Sequence, residues 1–271
     1  MTTPTFKDHE LAGWTAKAQA YGDYFGRVTG QIAPALLDAS GVTKGSRHLD
    51  IASGPGYVAG EGARRGAQAT GIDFAHPMVE EARKRFPGVR YEQGDAEALS
   101  FDTGAFDAVT CGFGIGHFPD PDKAIAEAFR VLRLGGRYAL SWWCTNDKHE
   151  FFQLFYETVK AHGTMDVALP PAPPFARFSE PAELTRTLSA AGFAEVRVGE
   201  HALVYDMPTP DYAFDMIRRS GIRSAMLLDL QTREARARIE EAFKAGAAKF
   251  KRGDALRMAF PALVASGTKP G

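Results

Sequence analysis

Between residues 45 and 145, short apolar runs alternate with longer amphipathic ones. That alternation predicts a parallel sheet with crossover helices. Strands are expected at 47–53, 69–74, 89–95, 106–112 and 136–142, with helices at 56–65, 77–86 and 121–134. Val79, Ala82 and Phe86 mark one face of the second helix, and Ile125, Ala128, Phe129 and Leu132 one face of the third. Gly135-Gly136 should end that third helix and launch the strand after it.

The flanks follow a different pattern. Upstream, Trp14, Ala18, Tyr21 and Phe25 recur at helical spacing and a second helix is expected over 28–39, together forming a cap over the mouth of the sheet. Downstream, Phe151, Phe152, Phe155 and Val159 predict a helix, a Pro-rich linker covers 169–174, and another helix covers 180–191. The runs 194–198 and 202–205 suggest a sixth strand and 257–265 a seventh. The helical stretch 211–253 between them is too long for a plain connection and reads as a lid. The expected division is an N-terminal cap (1–44), an α/β core (45–145), a helical insert with the sixth strand (146–207), a lid (208–254) and a last strand (255–271), all in one structural domain.

Composition narrows the class. The 271 residues are 45% hydrophobic, enough for a substantial core without disulfides. Thirty-two Lys and Arg against 33 Asp and Glu give a net charge of -1, which argues against a nucleic-acid partner. The basic excess within the lid is interspersed with alanine and carboxylates, as on a solvated helix face. Two isolated cysteines suit a reducing cytosol, and no apolar stretch approaches a membrane span. A soluble cytoplasmic protein, monomeric or homodimeric, is expected. No metal-ligand spacing is present.

The segment 48–59 carries the chemistry. An apolar strand runs into Gly54-Pro-Gly56 and then a helix, so the main chain turns tightly where a ligand can approach it. Asp73 ends the next strand, where a carboxylate can accept both hydroxyls of a ribose. Asp50 stands before the glycines, where it could face an ammonium or sulfonium ligand or merely cap the following helix. Asp95 could hold the exocyclic amine of adenine. These residues describe a pocket for an adenosine-type ligand. A nicotinamide dinucleotide is the competing ligand, opposed by Asp50, by Asp95 and by the length of chain before the first strand.

Leu49-Asp-Ile-Ala-Ser-Gly-Pro-Gly56, Gly71-Ile-Asp-Phe74, Gly94-Asp-Ala-Glu-Ala-Leu-Ser-Phe101, Phe106-Asp-Ala-Val109 and Arg130-Val-Leu-Arg-Leu-Gly-Gly-Arg137 stand in order along the core. In this order they resemble the motifs of the class I S-adenosylmethionine-dependent methyltransferases, nearest the small-molecule branch typified by the ubiquinone and menaquinone C-methyltransferases. The resemblance implies a Rossmann-like, doubly wound, seven-stranded sheet, parallel except for an antiparallel last strand. It implies that Ala52, Ser53, Gly54 and Gly56 line the methionine moiety and that Asp73 holds the ribose. Phe74 and Met78 would sandwich the adenine, with Asp95 and Ala96 at its edge. Cys111, Gly112 and Phe113 would lie beside the sulfonium, and Tyr21 would reach the cofactor from the cap. Ala52 departs from the family's usual glycine.

His117 follows the fourth strand, where an acceptor must enter, and a histidine there can take a proton from a hydroxyl or acidic carbon. It could equally pack on the cofactor. The acceptor pocket is expected from Trp14, Tyr21, Tyr24, Phe113, His117, Trp142, Trp143, Phe151 and Phe155, with lid residues near Tyr212, Met216 and Met226. So aromatic a set suits a flat or apolar small molecule. The alternative is a protein that binds S-adenosylmethionine without transferring its methyl. His48 and His201 are expected to be structural, and His9, His76, His149 and His162 to be surface or loop residues.

Overall fold

Thr5 begins the first helix with a capping box: its N–H donates to Asp8 Oδ2 at 2.8 Å while Asp8 N–H donates back to Thr5 Oγ1 at 3.3 Å. The helix α1 (Phe6–Asp23) is followed by α2 (Phe25–Thr29) and α3 (Ala33–Ser40). The single helix expected over 28–39 is thus two pieces joined by a 3-10 turn, Gly30–Ile32. Pro34, which lacks an N–H, sits in the first turn of the new helix. The structure, a computed structural model, describes residues 4–271.

The α/β core runs β1 (Arg47–Ile51), α4 (Tyr57–Arg64), β2 (Gln68–Asp73), α5 (His76–Arg85), β3 (Arg90–Gln93), β4 (Phe106–Gly112), α6 (Pro121–Val131) and β5 (Leu132–Trp143). Then come α7 (Glu150–His162), α8 (Pro181–Ala190), β6 (Ala194–His201), β7 (Val204–Met207), α9 (Pro210–Ser220), α10 (Arg223–Asp229), α11 (Arg233–Ala247), β8 (Lys251–Arg252), β9 (Ala255–Ala259) and β10 (Ala262–Thr268). The main sheet has seven strands in the order β3-β2-β1-β4-β5-β10-β6. Strands β1 to β5 pair in parallel, and β10 is antiparallel to both β5 and β6. This is the Rossmann-like, doubly wound sheet with an antiparallel last strand.

Three local expectations need correction. The helix α6 stops at Val131, and β5 begins at once, so Gly135-Gly136 lies inside the strand. Lys269 supplies the reason: its ammonium donates to the carbonyls of Phe129 and Leu132, both at 2.8 Å, closing the helix end from the neighbouring strand. The two glycines fall where the β4–β5 register jumps, from Phe106 opposite Leu132 to Ala108 opposite Arg137. The runs expected to make a sixth and a seventh strand are each divided: β6 and β10 belong to the main sheet, while β7 and β9 join β8 in a second, three-stranded antiparallel sheet. Pro261 cannot donate to a ladder, and it stands where the chain passes from one sheet to the other. Finally, His149 is fully buried rather than superficial. It caps α7 by accepting from Phe152 N–H, and burial holds its imidazole down to about 3.

The largest buried cluster spans both faces of the sheet and continues under the C-terminal helices, through Phe151, Phe155, Phe243 and Phe260. No helix among the described residues is long and apolar enough to cross a membrane.

At the centre of the sheet, a polar chain crosses two strands. His48 Nε2 lies 2.8 Å from Thr110 Oγ1, which donates to Asp50 Oδ1 at 2.8 Å. All three residues are at most 1% exposed. The single hydroxyl hydrogen goes to Asp50, so the threonine accepts from His48 Nε2–H and fixes that tautomer. Thr110→Val preserves the side-chain shape and leaves both partners unsatisfied, so stability should fall by ~1–3 kcal/mol. Denaturant unfolding of the variant measures this directly, and an unchanged midpoint would mean that the chain contributes nothing.

Candidate functional site

β1 and β4 are parallel neighbours whose chains leave in opposite directions, β1 toward β2 and β4 toward β5. A crevice opens at the carboxyl ends of such a pair, because no connection crosses it. The β1–α4 loop lies there. Its turn needs three residues at positive φ: Ala52 at 53°, Gly54 at 49° and Gly56 at 85°. For alanine this conformation costs about 1–2 kcal/mol, which the surrounding loop must offset. Ser53 ties the loop down, donating its N–H to Ile72 O at 2.8 Å and accepting from Gly56 N–H at 2.9 Å. The side-chain direction of Gly54 is open space, with no atom within 4 Å. A ligand can therefore reach the main chain there.

Asp73, at the end of β2, faces the same crevice. Gly54 N–H donates to its Oδ2 and Ala75 N–H to its Oδ1, each at 2.9 Å. Burial pushes the carboxyl up to about 6, held back by those two donors and by nearby His117. Each oxygen keeps a lone pair for a further donor. The cavity over this carboxylate opens to solvent and is walled by Ala52, Gly54, Phe74, Met78, Gly112 and Phe113. Its outer edge carries Asp95, whose Oδ2 is taken by Lys7 of α1 and whose Oδ1 accepts from Glu97 N–H at 3.0 Å. A carboxylate floor, apolar faces and an acidic edge match the ribose, adenine and amine of an adenosyl ligand.

Five residues expected on this cavity lie behind its wall. Asp50 is 1% exposed and caps α4, accepting Ala59 N–H at 3.1 Å. Burial pushes its carboxyl up to about 7. Ser53 shapes the loop but does not line the space. Gly56 is required by packing, since a Cβ there would stand 2.3 Å from the Tyr91 hydroxyl. Ala96 belongs to the core, and Cys111 is fully buried with its thiol pushed up to about 12.

A second cavity of about 730 Å³ adjoins the first. Trp14, Tyr21, Phe113 and His117 line both, so these four side chains are the shared wall. Phe113 is held there at φ 56° and packs its ring 4.1 Å from that of Trp143. His117 Nδ1 lies 2.8 Å from Glu10 Oε2, which also accepts Trp14 Nε1–H at 3.0 Å. Glu10 is 2% exposed, on the inner face of α1. With Nδ1–H donated to this carboxylate, Nε2 carries the free lone pair. Nothing in the sequence singled out Glu10, which stands 107 positions from its partner.

Of the residues expected to line the acceptor cavity, Trp14, Tyr21, Phe113, His117 and Trp143 do. Trp142 is fully buried, its Nε1–H donated to Phe175 O at 3.0 Å. Phe151, Phe155 and Met216 face the core at 0% exposure. Tyr24 and Tyr212 stack on one another outside the cavity, with ring centroids 4.8 Å apart. Met226 does not line it either. Phe25, Phe152, Tyr156, Phe175 and the segment 220–224 supply the walls instead. Among the described residues no group of three His, Cys, Asp or Glu side chains is placed to hold a metal ion.

Comparison with known proteins bears on residues 49–140, which match the family model described as a methyltransferase domain. The demethylmenaquinone methyltransferase of Renibacterium salmoninarum is 37% identical over 106 residues, 39% of this chain and 45% of that protein. The chain thus spans about half the length of the curated relatives it matches. Among solved structures, a Haemonchus contortus phosphoethanolamine N-methyltransferase bound to S-adenosylhomocysteine is 19% identical, with a TM-score of 0.59 over 99% of this chain and 61% of its own. A 4+2 cyclase, 18% identical, has a TM-score of 0.60 over 100% of this chain and 99% of its own. At such identities the structures speak for the fold alone. Residues 49–140 thus match a methyltransferase domain, and the strand order and the crevice at Gly54 and Asp73 are similar to what the class I S-adenosylmethionine-dependent methyltransferase motifs imply.

Proposed function

We propose that the protein transfers a methyl group from S-adenosylmethionine to an aromatic or apolar small molecule, onto oxygen or an acidic carbon, with His117 taking the proton. The observation that carries this reading is the shared wall: an adenosyl-type cavity and an aromatic cavity meet at Trp14, Tyr21, Phe113 and His117. When bound, the cofactor supplies a methyl group already activated by its sulfonium charge. The protein's own tasks are then alignment, exclusion of water and proton removal.

Each task has residues. Asp73 would accept the ribose hydroxyls, Phe74 and Met78 would cover the adenine, and Ala52 and Gly54 would offer the main chain to the methionine moiety. The rings of Trp14, Tyr21 and Phe113 would keep water from the junction. As the acceptor hydroxyl or carbon acid gives up its proton, Nε2 of His117 would take it, and the Glu10 carboxylate would stabilise the resulting imidazolium through Nδ1–H. Glu10 thus acts through His117, as a positioning residue. The demethylmenaquinone methyltransferase relatives are consistent with a cyclic, largely apolar acceptor.

Asp73→Ala should weaken S-adenosylhomocysteine binding by ~1.5–3 kcal/mol in titration calorimetry, the range for hydrogen bonds to a charged group. An unchanged affinity would move the ribose site elsewhere. In the wild type, donors on the ligand favour the ionised carboxylate, whose free-state value of about 6 is raised by burial. Affinity should therefore fall as pH drops below about 6 and level off above about 7, and that slope should vanish in the alanine variant.

His117→Ala should lower turnover by ~10²–10⁴ and leave S-adenosylhomocysteine affinity nearly intact. Glu10→Gln should lower kcat less, because the imidazolium loses a charged partner but keeps a hydrogen-bond acceptor. Turnover by His117→Ala within about threefold of wild type from roughly pH 6 to 9 would leave alignment alone to carry the reaction.

A further inference from the structure

The aromatic cavity contains one feature that an apolar acceptor does not use. Arg223, the first residue of α10, lines it together with Tyr156, Ser220 and Ser224. Among the described residues it is the sole Lys, Arg, Asp or Glu on that lining. Among those residues its guanidinium makes one hydrogen bond, Nη1–H to Pro170 O at 3.3 Å, and has no carboxylate partner within 4.0 Å. Arg65, Arg130 and Arg177, also partly buried, are each held by a carboxylate, whereas Arg137 is not. Arg223 thus brings a charge without a carboxylate partner to the lining of a space walled by aromatic rings. Its field reaches the Tyr156 hydroxyl, where it opposes the effect of burial.

A cation partly withdrawn from water and left unpaired is costly, and an incoming anion removes that cost. The planar fork of a guanidinium matches a carboxylate, with two parallel N–H donors for its two oxygens. One cation balances one charge, so a dianionic phosphate would bring in a charge that the cavity does not answer. We propose that the methyl acceptor is an aromatic acid, its carboxylate held by Arg223 on the lining of the cavity. This rests on the aromatic cavity being the acceptor site. It makes the substrate a hydroxylated aryl or polycyclic carboxylate rather than a neutral ring.

Binding tests the proposal without requiring methyl transfer. The full-length protein, saturated with S-adenosylhomocysteine, is titrated by calorimetry with two matched pairs: 4-hydroxybenzoate against phenol, and 3-hydroxy-2-naphthoate against 2-naphthol. In at least one pair the acid should bind about ten- to a hundredfold more tightly than its neutral counterpart, as expected for a charge-assisted pair. Arg223→Gln should abolish that preference and leave S-adenosylhomocysteine affinity unchanged, since Arg223 does not line that cavity. Arg223→Lys should keep part of the preference, separating lost charge from lost packing, and melting curves show that each variant is folded. If neither acid outbinds its counterpart, or if the preference survives in a folded Arg223→Gln, the proposal is wrong. Failure of S-adenosylhomocysteine to bind would instead overturn the methyltransferase reading, and methyl transfer to a neutral ring with no preference for acids would overturn the proposal alone.

Discussion

Everything at the site depends on the divergence of two adjacent strands. β1 and β4 pair in parallel, yet each hands the chain on in the opposite direction, so the sheet has an open notch above them. A parallel sheet covered by helices on both faces offers few other places where main-chain groups are free to meet a ligand. The loops after these strands carry the conformational cost of using the notch: Ala52 and Phe113 both sit at positive φ and both line the cofactor cavity. The strain is held by ordinary structure around it, namely the Ser53 to Ile72 hydrogen bond and the packing of Phe113 on Trp143.

Two buried aspartates near this notch show how environment divides one residue type between two roles. Asp50 is closed on all sides, its oxygens answered by Thr110 and Ala59, and it joins β1 to β4 and α4. Asp73 receives two backbone donors and still faces open volume. Both are buried, and in both burial raises the carboxyl, so charge alone does not separate them. Access to the cavity does, since Asp73 lines it and Asp50 does not.

The core was legible because its chemistry lies close to its pattern. The strand at 106–112 is found at those bounds, and Gly54, Asp73, Phe74, Met78 and Asp95 follow the ends of successive strands, whose carboxyl ends a parallel sheet brings to one edge. The acceptor cavity was harder. In α7 the sequence marks the helix but not its rotation: Phe151 and Phe155 face the core, and Phe152 and Tyr156, one step around the helix, face the cavity. Only tertiary packing decides between two equally aromatic faces. Glu10 and Arg223 escaped for a related reason, as each acquires its meaning from a partner or a void supplied by distant segments. The division of the last strands was hidden because alternation in sequence does not say which sheet a strand joins.

The helix α1 lies over both cavities: Lys7 stands at the outer edge of one, and Trp14 and Tyr21 face the two together. Two ligands, one in each cavity, would therefore share one wall element, and any change that one makes in the position of that helix would be felt by the other by the same factor in affinity, because coupling between two sites is reciprocal.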